Sequence, residues 1–282
     1  MENNLGTFDF INEDIKEINI SGEYVKKFKE IYYSKIKDMD GINSILNNSI
    51  NILSKCIDNL GIPNSKTGVV VGKVQSGKTS NFLGLLSLAF DNNYNLGVVI
   101  GGKDKDLLLQ NEDRIKEVFE SDVSNKNKCR VITSITYPSN QLEEWMKNNT
   151  NKKLIITCLK NKTHLEKLYK IFNKSSYLQN QKIMIIDDEG DQYSLNSNYN
   201  TKKIEPTTLY KQIIKLKELL IYHSYISITA TPYANLLISK FNDLSPSFIV
   251  TINPGKGYTG LDLFHGEESS SKYIRKLHEH ET

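Results

Sequence analysis

The chain has 282 residues, of which 38% are hydrophobic and 24% charged, the make-up of an ordinary globular protein with room for one large or two small domains. Its formal net charge of +3 neither demands nor excludes a nucleic-acid partner, since a basic groove can hide in a balanced total. Residues 1–20 carry no apolar signal core, no run approaches the roughly 18 apolar residues that span a bilayer, and the three scattered cysteines, Cys56, Cys129 and Cys158, lack zinc-ligand spacing; together these predict a cytoplasmic protein with reduced core thiols and no membrane partner.

Up to about residue 62 apolar residues recur at helical spacing, from Ile15, Ile18, Tyr24 and Phe28 to Ile42, Leu46, Ile50 and Leu53, and Gly61-Ile62-Pro63 closes the region. Residues 1–64 therefore read as a helical N-terminal segment of two or three helices. From 65 to 253 short apolar runs at 68–71, 96–100, 130–133, 154–158, 183–186, 225–228 and 248–252 read as strands. Between them, amphipathic segments near 78–90, 105–120, 139–148, 163–173 and 206–223 read as helices. That alternation predicts an α/β domain whose mostly parallel sheet is covered by helices on both faces. Residues 121–128 and 192–203 read as loops, and 254–282, with Gly255, Gly257 and Gly260 but no strand pattern, as a partial linker toward a further C-terminal region.

Three motifs carry chemistry. Gly72-Lys73-Val74-Gln75-Ser76-Gly77-Lys78-Thr79 follows a strand and opens a helix, which is the context a Walker A phosphate loop requires. Its glycines let consecutive N–H groups curl around phosphates, and the helix N-terminus adds its positive dipole end. Lys78 would reach the β- and γ-phosphates of ATP, and the Thr79 hydroxyl would be one ligand of a magnesium ion. The second motif, Ile183-Met184-Ile185-Ile186-Asp187-Asp188-Glu189-Gly190-Asp191, is an apolar strand ending in carboxylates, the Walker B pattern. Asp188 is assigned to magnesium and Glu189 to polarising the attacking water, with Asp187 the rival for the metal by one register. The third, Thr229-Ala230-Thr231 before Pro232, ends the strand at 225–228.

In this order the motifs resemble the superfamily two helicases and translocases, where the Thr-Ala-Thr element links nucleotide state to movement on nucleic acid. More narrowly, Val70 to Phe82, Ile186 to Gln192 and Ala230-Thr231-Pro232-Tyr233-Ala234-Asn235-Leu236-Leu237 are similar to the Z-one domain family, bacterial proteins labelled as endonucleases. Leu107-Leu108-Leu109-Gln110 with Arg114, Leu159-Lys160-Asn161 with Leu165 and Leu168, and the segment from Pro254 to Leu261 extend the likeness over about residues 65–265. The resemblance implies a RecA-like P-loop ATPase from restriction or phage-defence gene clusters, working beside a nuclease or a second ATPase. It also implies nucleic-acid contacts, DNA being expected, at Gln110, Arg114, Lys160 and Asn161, largely independent of sequence. Two departures stand out. Gly190 lies where such boxes usually carry Ala, a minor change for a small buried position. The family's proteins are also much longer, and the second domain that would supply an arginine finger lies outside this sequence, so slow hydrolysis is expected of this chain alone.

The remaining signals are plainer. His278-Glu279-His280-Glu281 reads as a polar terminus, and His164, His223 and His265 are dispersed and given no catalytic role. Trp145, beside Leu142 and Met146, reads as core, and the lysines over 162–182 as a solvated face. Two alternatives to a DNA translocase stand beside it: a nucleotide-sensing module without nucleic-acid activity, and a subunit of an ATP-dependent endonuclease.

Overall fold

Successive residues of a strand point to opposite faces, and the central strands here are apolar on both, which requires helices on both sides. The computed structural model describes residues 17–56, 63–72, 77–102, 105–120, 128–133, 138–190, 208–231 and 244–252. Among them seven strands, β1 (Asn64–Gly72), β2 (Leu96–Ile100), β3 (Cys129–Thr133), β4 (Lys153–Cys158), β5 (Lys182–Asp188), β6 (Tyr222–Thr229) and β7 (Phe248–Ile252), form one all-parallel sheet in the order β3-β4-β2-β5-β6-β1-β7. Eight helices are described: α1 (Glu23–Ile36), α2 (Met39–Ser54), α3 (Lys78–Asp91), α4 (Lys105–Phe119), α5 (Ser139–Lys147), α6 (Lys162–Asn173), α7 (Ser176–Gln179) and α8 (Thr208–Leu219).

Alternate strand residues sort the helices into two layers. Val70, Val99, Ile155, Met184, Ile186, Ile226 and Ile228 share one core with α1 to α4, through Phe28, Ile42, Phe82, Leu86, Ile115 and Phe119. Val98, Ile100, Ile156, Ile183, Ile185 and Tyr225 share the other with α5 to α8, through Leu142, Leu165, Phe172, Leu178 and Ile213. Trp145 packs against this second core. The three cysteines are buried and none forms a disulfide. This is the RecA-like α/β domain expected from the sequence, with a helical segment before it.

That segment is built into the first core. Each side chain such as Phe28 or Ile42, fully buried, contributes about 1.5–3 kcal/mol. The N-terminus of α1 has no side-chain cap of its own at Gly22; the Asp91 carboxylate at the end of α3 accepts instead from the backbone N–H groups of Tyr24 (3.2 Å) and Val25 (2.9 Å). Beside it Asn92 Oδ1 accepts from Asn19 N, and Asn92 Nδ2 donates to Asn19 O.

Some boundaries depart from the sequence reading, most clearly that between α8 and β6. The helix expected over 206–223 ends at Leu219, and β6 begins at Tyr222. Tyr222, His223 and Ser224 look unlike a strand but are paired on both sides, with β1 and with β5, and two ladders outweigh weak local propensity. The expected loop at 192–203 and the segment after residue 253 lie outside the described residues.

Candidate functional site

Because every strand runs the same way, the ends of β1, β2, β4, β5 and β6 meet at one edge, where ligands bind in parallel α/β sheets. Gly72 ends β1 there, and α3 opens at Lys78 behind Gly77. Gly77 has φ 77°, and a Cβ on it would meet nothing within 4 Å, so the backbone conformation and not space calls for glycine. Lys73, Val74, Gln75 and Ser76 lie outside the described residues. The Gly77 carbonyl accepts from both the backbone N–H (3.1 Å) and the Nδ2 (3.1 Å) of Asn81, whose Oδ1 in turn accepts from Asn48 Nδ2 on α2 (3.0 Å). This tie between α2 and the phosphate loop was not read from the sequence, although Asn81 stood in the stretch compared. A buried Asn one turn from a helix start has no local signature.

Beside the start of α3 lies a cavity of about 470 Å³ lined by Lys78, Thr79, Tyr32 and Lys35 of α1, and Arg114 and Glu117 of α4. Arg114 Nη1 donates to Thr79 Oγ1 at 3.3 Å. Lys35 pairs with Glu117, and burial pushes the Tyr32 hydroxyl up, with Ser80 and Arg114 opposing it. The structure thus puts Arg114, expected to touch nucleic acid, at the phosphate end of the P-loop helix. Gln110, one turn earlier on α4, is exposed.

The acidic motif divides by register. Asp187 is fully buried; its carboxylate accepts from the Tyr225 hydroxyl and pairs with Lys160 at 2.6 Å. Its Oδ2 is taken by Tyr225 and its Oδ1 is ion-paired with Lys160, so of the two carboxylates left open by the sequence Asp188 is the less enclosed. Asp188, at the end of β5, is partly buried and within electrostatic reach of Lys78: burial pushes its carboxyl up, Lys78 pulls it down, and Glu189 and Asp187 oppose Lys160. Glu189 is exposed, with φ 53°, and its N–H donates to Asp188 Oδ1 at 3.1 Å. Gly190 donates its N–H to Ile228 O at 3.0 Å, joining the acidic turn to β6 just before Thr229. Gly190 is no minor change: a Cβ there would lie 1.9 Å from Ser227 Oγ. Thr229 is fully buried, opposite Val71 of β1, and its Oγ1 accepts from Thr231 N at 2.9 Å; Ala230 follows at the surface end of β6. The Thr-Ala-Thr element therefore sits between the phosphate-loop strand and the acidic strand.

Two expected nucleic-acid contacts have partners within the fold. Lys160 is 5% exposed, and its ammonium donates to Asp188 O (2.5 Å) and Glu189 O (2.9 Å) and is ion-paired with Asp187, which turns it inward. Asn161 is the N-cap of α6, its Oδ1 accepting from His164 N at 2.9 Å. Nor are the lysines over 162–182 one solvated face: Lys182 is buried with its ammonium 4.5 Å from the Tyr94 ring centroid.

Among the described residues no three His, Cys, Asp or Glu side chains cluster as a metal cage. One carboxylate and one hydroxyl, Asp188 and Thr79, suit an ion such as magnesium that takes its other ligands from phosphates and water. Among the same residues no helix is long and apolar enough to cross a membrane.

No family model matches the chain, and no curated protein matches it in sequence. Among solved structures it is similar to the DEAD-box helicase Mss116 bound to ssRNA and UDP-BeF, at 14% identity and TM-score 0.46 over 80% of this chain and 45% of that one. It is also similar to the Mycobacterium smegmatis helicase Lhr bound to ssDNA and AMP-PNP (18%, TM-score 0.46, 82% of this chain and 28% of that one). A third is the DUF1998 helicase MrfA bound to DNA and AMPPNP (15%, TM-score 0.45, 81% and 29%). The chain spans less than half the length of each. Identities and TM-scores this low leave the reading of the site to its own residues.

Proposed function

We propose that this chain is the Mg-ATP-binding, helicase-like ATPase domain of a bacterial defence or restriction-associated DNA translocase of the Z-one type, coupling ATP hydrolysis to action on DNA. The observation that carries the nucleotide half of the reading is the juxtaposition at one sheet edge of Lys78, at the start of α3 behind a left-handed Gly77, with Asp188 of β5 in electrostatic reach of it. Magnesium, held by Thr79 and Asp188 together with ATP phosphates, would supply charge neutralisation on the transferred phosphoryl group. Lys78 neutralises the same oxygens, and Glu189, at the exposed end of the acidic turn, orients water. Arg114 adds a second cation beside Thr79. The nucleic-acid half, the defence setting and a nuclease or second-ATPase partner rest on the order and wording of the three motifs.

Calorimetry of Mg-ATP binding to the chain and to Lys78→Ala, followed by hydrolysis with and without duplex DNA, tests both halves. Binding lost in the variant supports the phosphate loop, and turnover raised by DNA supports the translocase. Equal affinity in the two proteins would refute the nucleotide site.

A further inference from the structure

We propose that Lys160 is the positioning residue of the acidic turn, and that its buried ammonium fixes the backbone from which Asp188 presents its carboxylate to a magnesium ion. The proposal rests on the Mg-ATP reading above. The Lys160 ammonium donates to Asp188 O at 2.5 Å and to Glu189 O at 2.9 Å, and it is ion-paired with Asp187 Oδ1 at 2.6 Å. Asp187 is held in its turn by the Tyr225 hydroxyl. Between the two anchored carbonyl groups and the Gly190 N–H, bonded to Ile228 O, the chain passes through Glu189 at φ 53°. A side-chain-bearing residue keeps that left-handed conformation only where its surroundings over-determine it, and these bonds are what over-determine it.

The origin of the lysine matters as much as its bonds. Lys160 belongs to the turn between β4 and α6, while the acidic turn follows β5, and β2 lies between those strands. Its side chain therefore spans the end of β2, and its own N–H donates to Gly102 O just past that strand at 3.1 Å. Two turns that are not neighbours in the sheet are joined by one side chain at the edge where Lys78 lies.

The test compares ATP affinity with magnesium and in EDTA, by calorimetry on the full 282-residue chain. Lys160→Met alone would leave Asp187 as an unpaired buried charge, so the first variant is Lys160→Met with Asp187→Asn, in which Tyr225 keeps a side-chain oxygen to donate to. Groups that hold metal ligands set metal affinity by 10- to 100-fold, so the magnesium-dependent gain in ATP affinity should fall about tenfold or more. Affinity in EDTA, set by the phosphate loop, should stay at the wild-type value. Asp187→Asn alone, which leaves the ammonium on both carbonyl groups, should keep the gain. Lys160→Gln, whose shorter, uncharged side chain falls short of the two carbonyl groups and leaves Asp187 intact, should lose it and serves should the double variant not fold.

Retention of the gain in both Lys160 variants would overturn the proposal. So would its loss in Asp187→Asn alone, which would make Asp187 the ligand, or an equal fall of affinity with and without magnesium, which a merely structural role produces. A wild-type chain that binds no ATP at all would overturn the nucleotide reading and this proposal with it.

Discussion

Gly190→Ala tests how tightly the acidic turn is seated on β6. Gly190 is not among the residues with positive φ, so alanine meets no backbone penalty and the cost is steric. The added Cβ would lie 1.9 Å from Ser227 Oγ, 2.9 Å from Ser227 Cβ and 3.2 Å from Ser227 Cα. Rotating the serine hydroxyl relieves the first contact only. The other two belong to a strand paired on both sides, Ser227 with Val69 of β1 and with Asp187 of β5, so β6 cannot retreat. The acidic turn must move instead, against the bond from Gly190 N to Ile228 O.

Forcing a methyl group into a packed site costs about 1–3 kcal/mol, and about 2 kcal/mol in a domain of this size lowers Tm by roughly 6 °C. Thermal unfolding followed by circular dichroism should show that fall for Gly190→Ala. Ser227→Ala in the same chain should recover part of it, because the 1.9 Å contact disappears while the 2.9 Å contact stays. The two substitutions should therefore couple in a double-mutant cycle by more than the roughly 0.5 kcal/mol typical of independent sites. A Gly190→Ala protein that melts with the wild type, or a cycle with no coupling, would refute the steric argument.

Two further outcomes are expected. Arg114→Ala should weaken Mg-ATP binding about fivefold, the loss of roughly one charge-assisted hydrogen bond in a solvated setting, with DNA affinity unchanged; the reverse pattern in a filter-binding assay would restore Arg114 to the nucleic-acid surface. His223 is buried, and burial, with Lys217 adding to it, pushes its imidazole down to about 4 against a hydrogen bond to Leu220 O. Between pH 6.5 and 4 the unfolded chain therefore binds the extra proton, and stability falls as pH is lowered through that window, by roughly 3 kcal/mol in all. Urea titrations at pH 7, 6 and 5 should show this slope in the wild type and a flatter one in His223→Gln; parallel slopes would exclude the imidazole as the cause.

What could be read from the sequence is what local chemistry writes into it. The strands at 96–100 and 248–252 have the bounds expected, because each is an apolar, β-branched run between polar stretches. The start of α3 at Lys78 was legible because glycine ends the loop there. β1 was read as beginning at Gly68 and begins at Asn64, since Asn64 to Thr67 is polar and is held in the strand by pairing with Tyr222 to Tyr225. Lys160 misled for a related reason. A lysine before a helix cap looks solvated until the fold brings Asp187 and two carbonyl groups to it from another strand, and no spacing rule encodes that meeting. Arg114 was expected to meet nucleic acid and lies instead beside Thr79, a meeting no local pattern encodes because the side of α4 it occupies depends on where α3 starts.

Helices α1 and α2 bear on the start of α3 as well as on the core. Their helical spacing was plain, but spacing alone cannot distinguish a cap resting on a domain from a part of its machinery. The contacts can. Asn48 of α2 reaches the carbonyl of Gly77 through Asn81, Tyr32 of α1 lines the cavity beside Lys78 and Thr79, and Asp91 and Asn92 at the far end of α3 hold the start of α1. The P-loop helix is thus gripped at both ends by the segment before it. A phosphate loop works by presenting N–H groups that need not reorganise when the anion arrives. A helix that could slide along the sheet would lose that property, so on the proposed Mg-ATP reading α1 and α2 are the elements that hold Lys78 and Thr79 in register with Asp188.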